Sequence, residues 1–204
     1  MPVPLILASS SPRRRELLES LGVQFTVIKP DVDETLRDGE SPLDYVRRLS
    51  QEKAYAVAVQ VASPAAILAA DTVVILAADT IGIDHRGELL GKPRDAGDAR
   101  DMLRRLRGRA HAVHTAVTLL KLDESQPTPD EFADLVSTTV TMRDYTDAEI
   151  DAYIATGDPF DKAGSYAIQH AGFHPVEQLE GSYTNVMGLP VEAVERALRV
   201  IGWR

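Results

Sequence analysis

Three arginines, Arg13–Arg15, follow three serines, Ser9–Ser11, and a proline. If a helix begins there, its first turn carries unpaired N–H groups and a partial positive charge. Hydroxyl donors and guanidinium groups at such a point form a local site for phosphate oxygens. A plain capped helix with solvated arginines is the alternative. It leaves the charge placement unexplained, because basic side chains at a helix start oppose the dipole.

Other candidates lie further along. The run DVDE, Asp31–Glu34, could hold a hard cation such as Mg²⁺ or Mn²⁺. Taken alone it reads equally as a solvated acidic turn. Lys53, in QEKA on a predicted helix, reads locally as a surface lysine. Asp79 closes the apolar run VILAA, and a carboxylate at the end of a buried strand is costly unless paired or working. Asp71 has the same surroundings, since AADT occurs twice. The predicted turn DHRG at 84–87 separates the two: Lys92, on the returning segment ELLGKP, lies 13 residues from Asp79 and 21 from Asp71. Only the shorter spacing suits two short strands, so Asp79 is the working choice. An aspartate and a lysine meeting beside a metal would make a phosphoryl-type site; the alternative is a structural ion pair.

Several chemistries drop out. His111 and His114 sit three apart on a predicted strand, on opposite faces. His170 and His174 lie in a loop without a third ligand, so zinc is rejected. Neither G-x-x-x-x-G-K-[ST] nor G-x-G-x-x-G occurs. The chain has no cysteine, hence no disulfide, thiolate nucleophile or Cys-type zinc site. Its net charge of −9, from 22 basic and 31 acidic residues, argues against a nucleic acid polymer or a membrane surface as partner. MPVPLILASS is too short an apolar run for a signal peptide, and no transmembrane stretch follows. A cytoplasmic location is expected.

The elements that must position these residues alternate. Leu5–Ala8 reads as a strand, followed by a helix capped by Ser11 with Pro12 first, Leu17, Leu18 and Leu21 inward, and Gly22 at its end. VQFTVI, 23–28, reads as a strand and Ser41–Gln60 as a second capped helix. Residues 65–83 read as strand, hairpinned at 84–87. A helix runs from Asp95 to Gly108. HAVHTAVTLLKL and LVSTTVTMR read as strands around the polar loop DESQPTPDEFAD. Thr146 and Glu149 form a capping box opening a further helix. KAGSYAIQHAG and NVMGLP read as loop and strand, and a last helix starts at Pro190. The class is α/β with a mixed sheet. At 204 residues with 44% hydrophobic content, and no disordered linker, residues 1–204 read as a single domain.

Taken in order, LILASSSPRRRELL, DVDET, LSQEKA, AADT, GELLGKPRDAGDARDML, LRGRAHAVHT, DKAGSYAIQ and GSYTNVMGLP resemble the signature blocks of the Maf family of nucleoside triphosphate pyrophosphatases, over nearly the whole chain. The resemblance implies a two-lobed Maf/inosine-triphosphatase-like fold, with a central mixed β-sheet and nucleotide in the cleft between lobes. It implies hydrolysis of a nucleoside triphosphate to monophosphate and pyrophosphate with a divalent cation, Mg, Mn or Co. By motif position it assigns Ser9 and Arg14 to the phosphates, Lys53 and Lys92 to charge neutralisation, Glu34 and Asp79 to the metal, and Asp79 to proton acceptance. Arg13, Thr80 and Gln169 match the positions of substrate choice. The branch similar to 7-methyl-GTP pyrophosphatases has Trp, Gln and Glu there; this chain is similar to the dTTP/UTP branch. Two departures stand out. The segment between QEKA and GKP is longer than usual, and His170 replaces a common glycine beside the base pocket. A 7-methyl-GTP pyrophosphatase and a nucleotide-binding regulator of cell division with little catalysis are the competing readings; retention of Asp79, Lys92, Lys53 and Glu34 favours the enzyme. A homodimer is one assembly open to it.

Overall fold

The computed structural model describes residues 3–61 and 72–203. Seven strands form one sheet in the order β2-β1-β3-β5-β6-β7, with the short β4 paired to β3. The strands are β1 Leu5–Ala8, β2 Thr26–Ile28, β3 Thr72–Ile83, β4 Leu89–Leu90, β5 Ala110–Asp123, β6 Asp130–Met142 and β7 Val176–Glu180. The helices are α1 Pro12–Glu19, α2 Pro42–Val61, α3 Ala96–Leu106, α4 Asp147–Ala155, α5 Tyr183–Met187 and α6 Val191–Val200. Among the described residues no helix is long and apolar enough to cross a membrane.

β1 pairs in parallel with both β2 and β3, and antiparallel pairs join β3 to β4 and β6 to β7, so the sheet is mixed as the alternation of elements implies. Parallel central strands are covered on both faces and read as continuous apolar runs; all four residues of β1 are buried.

The chain forms two compact units. The first comprises 1–79, 115–136 and 188–204; the second comprises 80–114 and 137–187. In the first unit α2 lays Ala54, Val57 and Ala58 against Ile6 and Ala8 of β1 and Val73, Ile75 and Ala77 of β3. In the second, Ala99, Leu103 and Leu106 of α3 share a core with Ile150, Tyr153 and Ile154 of α4, together with Val140, Tyr145, Tyr166 and Phe173. α4 has both arms of the capping box: Thr146 Oγ1 accepts the Glu149 N–H, and Glu149 accepts the Thr146 N–H.

Three segments differ from the sequence reading. Of the strand read over 65–83, residues 65–71, Asp71 among them, lie outside the described residues. NVMG is not strand: α5 holds Tyr183–Met187, because Ser182 Oγ accepts the Asn185 N–H and the buried Asn185 amide donates to Val113 O and Thr138 Oγ1. β7, absent from the reading, is an edge strand whose Glu and Gln face outward and so carries no apolar alternation.

Between β7 and α5 stands Gly181, at φ +127, where an added Cβ would lie 2.9 Å from Thr138 Oγ1. Gly181→Ala is expected to lose about 1–3 kcal/mol through strain and the displaced Thr138. Gly22→Ala, at φ +68 with nothing near its Cβ, should lose about 1–2 kcal/mol at most. Urea denaturation of the two variants against wild type checks the order.

Candidate active site

Within the first unit, α1 starts as its sequence dictates. Ser11 caps it, Pro12 supplies the first residue, and no acidic side chain stands in its first turn. Ser9, at the end of β1, is buried, and its hydroxyl accepts the Ser11 N–H at 3.1 Å. Arg13 and Arg14 are half-buried while Arg15 is exposed. Arg14 Nε donates to Gly188 O at 2.8 Å, which fixes the guanidinium from one side. Burial lowers Arg14 from its ordinary value, the Asp79 carboxylate draws it back up, Arg13 lowers it further and Glu34 raises it. An arginine nonetheless stays charged in a protein.

Lys53 departs from its local sequence reading. It is 7% exposed, not a surface side chain. On α2 it stands four residues after Leu49 and four before Val57, both buried, so it occupies the inward stripe of the helix. Its Nζ donates to Asp79 Oδ1 at 2.6 Å and pairs with Glu34 Oε1 at 2.8 Å. Asp79 is 8% exposed. Burial pushes its carboxyl above the ordinary aspartate value, although Lys53 and Arg14 pull it down.

The acidic loop reaches Lys53 because it is fastened to α2. Arg48 grips Glu40 through two hydrogen bonds of 2.6 and 2.8 Å, pairs with Glu52, and donates to Thr35 O. The paired Arg48 holds the Glu40 carboxyl down at about 2. Tyr45 Oη donates to the backbone carbonyl of Glu34 at 2.8 Å. Sequence reasoning missed Tyr45 and Arg48. The readable signal was their spacing: three and four residues apart with Glu52, along the edge of the buried stripe of α2.

Ser9, Arg13, Arg14, Glu34, Lys53 and Asp79 thus all belong to the first unit, with Arg14, Glu34, Lys53 and Asp79 joined by contact or by mutual field. Thr80, Lys92 and Gln169 belong to the second. There Gly82 pairs with Leu90 and Ile83 with Leu89, around the turn expected at 84–87. The ladder stops at Leu90. Gly91 gives its carbonyl to the Gly164 N–H instead, and Pro93 has no N–H to offer. The same register, continued, would set exposed Lys92 opposite Thr80. Gln169 is exposed in the turn Ala167–His170.

Among the described residues no group of three or more His, Cys, Asp or Glu could cage a metal ion. The two oxygens that converge on Lys53 do fit a less enclosed arrangement. Mg²⁺ commonly takes only one or two protein carboxylates and completes its shell with water and substrate phosphates.

A family model described as Maf-like protein matches residues 4–201. The chain belongs to the Maf family. Relatives named dTTP/UTP pyrophosphatase include one from Citrifermentans bemidjiense, 46% identical over 198 residues that cover 97% of this chain and 95% of that protein. One from Shewanella sp. strain MR-7 is 44% identical, covering 98% and 99%. One from Syntrophus aciditrophicus is 43% identical, covering 97% and 90%.

The raised Asp79 carboxyl makes a stability prediction. The folded protein keeps this proton to a higher pH than the unfolded chain does, so the favourable contribution is complete below the ordinary aspartate value. It is lost as pH rises through the raised one. Wild type should therefore lose stability relative to Asp79→Asn as pH climbs from about 4, the ordinary aspartate value, toward neutrality. Urea denaturation across that range decides it; a difference of opposite slope would refute the assigned direction.

Proposed function

We propose that this Maf protein hydrolyses dTTP and UTP to the nucleoside monophosphate and pyrophosphate. The observation that carries the reading is the buried Lys53 ammonium held between Asp79 and Glu34 in the field of Arg14. A carboxylate, cations and two oxygens able to face a metal in one cluster support the reading, and the names of the relatives point the same way.

In this reading Ser9, Arg13 and Arg14 meet the triphosphate at the start of α1, where the helix dipole and guanidinium donors suit phosphate oxygens. Lys53 and Lys92 neutralise its charge. Asp79 accepts a proton from the attacking water as the new oxygen–phosphorus bond forms at Pα. The Pα–O bond to the β-phosphate breaks, and pyrophosphate leaves with the bond electrons. A carboxyl lifted by burial is a better base near neutrality than an ordinary aspartate. Glu34 and Asp79 would hold a divalent cation, Mg, Mn or Co, which when bound polarises a phosphate oxygen and offsets its charge. Thr80 and Gln169 read the base. A glutamine amide both donates and accepts, which suits a neutral pyrimidine edge. Intracellular nucleotides as substrates and a chain without cysteine fit a cytoplasmic site of action.

Product analysis should find monophosphate and pyrophosphate from dTTP, with loss of activity on chelation; stepwise release of orthophosphate would rule the reaction out. Asp79→Asn should lower kcat by about 10²–10⁴, the range for loss of a general base, while Asp71→Asn keeps most activity. The reverse result would move the working carboxylate to Asp71.

Specificity gives a separate test. Gln169 has no charge to offset a cationic methylated guanine, and Arg13 would repel it. Wild type should therefore turn over 7-methyl-GTP poorly. Arg13→Trp with Thr80→Gln and Gln169→Glu should shift the kcat/KM ratio toward it, since an indole can stack on the cation. A wild type that prefers 7-methyl-GTP would overturn the pyrimidine assignment and leave the pyrophosphatase reading standing.

A further inference from the structure

His111 and Tyr166 meet in the core of the second unit, and nothing in the proposed reaction uses them. His111 is 3% exposed on β5, and Tyr166 is buried among Leu90, Leu106, Val113 and Val140. His111 Nε2 and Tyr166 Oη share a hydrogen bond of 2.8 Å, and the rings meet edge to face at 5.4 Å. Burial pushes His111 down to about 4 and raises the Tyr166 phenol, so both are neutral over the physiological range. A histidine held neutral in an apolar core is no proton carrier there. Its service is geometric: the buried Nε2 finds its hydrogen-bond partner in the Tyr166 hydroxyl, and only one position of that hydroxyl supplies it.

That partner sits in an unusual segment. Gly164 has φ +73, and Ser165, fully buried, has φ +62, a region few non-glycine residues adopt. Such a backbone persists only where its surroundings over-determine it. The fastenings are present on each side. Lys162 pairs with Asp158 and Asp161. Gly164 N–H donates to Gly91 O at 3.0 Å. Ala167 N–H donates to Tyr153 Oη at 3.0 Å. Tyr166 is the central fastening, two residues after Gly164 and three before Gln169. The Gly164–Gly91 bond also ties this segment to the one carrying Lys92.

We infer that the His111–Tyr166 hydrogen bond is a positioning device that sets the 163–170 segment, and through it the Gln169 amide, for reading the nucleotide base. The inference rests on the proposed pyrophosphatase function, since it gives Gln169 a base to read. Gln169 itself is exposed, so its position depends on the buried end of the segment. His111 and Tyr166 touch no substrate in this account and act on KM and selectivity.

The test compares Tyr166→Phe and His111→Leu with His111→Gln, whose amide can replace the imidazole Nε2. For the first two, kcat/KM for dTTP relative to GTP should fall about five- to tenfold, the worth of one net hydrogen bond, mostly through KM. Amide hydrogen exchange in residues 163–170 should quicken by a similar factor, with no change at the core amides of α3. His111→Gln should recover most of both. An unaltered dTTP/GTP ratio in Tyr166→Phe overturns the inference, and so does exchange that quickens equally in α3, which would mark the pair as general core packing. A wild type unable to hydrolyse dTTP counts against the proposed function alone. The exchange measurement then still decides whether this pair holds the segment.

Discussion

A lysine ammonium cannot be buried without compensation, and the first unit is arranged around supplying it. Lys53 sits on the inward stripe of α2, where removal of a partner from a buried ion pair costs about 3–5 kcal/mol. The partner has to come from the sheet, so Asp79 stands on β3 just where that strand's unbroken apolar run ends. A second carboxylate, Glu34, has to be brought from a loop that forms neither helix nor strand. Each element near Lys53 is therefore placed by charge as well as by packing. The same arrangement explains how Asp79 can be raised while touching a cation: burial disfavours its charged form by more than Lys53 and Arg14 favour it.

The acidic loop shows the entropic side of this constraint. Fixing a residue's backbone costs about 1–2 kcal/mol, and residues 31–40 bury little apolar surface in return. Their order comes from polar ties. Asp33 Oδ1 accepts from the Thr35 N–H and hydroxyl, Arg48 holds Glu40 and Thr35, and Tyr45 holds the Glu34 carbonyl. Arg37 adds a bond to Glu52. All the anchors on α2 lie within Tyr45–Glu52, just ahead of Lys53. One helix thus positions the ammonium and the loop that meets it.

What could be read in advance was local. The Ser11 cap with Pro12, the Thr146–Glu149 box, the glycine stops and the turn at 84–87 are each written in a few adjacent residues, and each formed where expected. The misread pieces depend on distant partners. α5 has only five residues and holds its shape through Asn185, whose partners lie on β5 and β6. β7 is paired on one edge and polar outward, so no alternation announces it. Lys53 was legible in principle. Its four-residue spacing to Leu49 and Val57 puts it on the core stripe, but the QEKA neighbourhood looks like any solvated helix turn. Residue type and spacing singled out the serine–arginine start of α1, the acidic run 31–34 and Asp79 as candidates, and the ordered motifs suggested the individual roles of Ser9, Arg14, Glu34 and Asp79. No local rule brings a loop carboxylate and a strand carboxylate to the same ammonium.

The convergence of two carboxylates on one ammonium also bears on how the charge can be kept in balance. With Lys53 between them, Asp79 and Glu34 leave one formal negative charge in excess, and Arg14 is close enough for its field to reach both. The free site is therefore near neutral within itself, which is the least costly way to keep four ionised groups together in a partly dry environment. A triphosphate alone would upset that balance by several negative charges. A divalent cation alone would compete with Lys53 for the same oxygens. A divalent cation would offset only part of the triphosphate's charge, and the cations of the cluster, Lys53 and Arg14, would be the groups at hand to offset the rest.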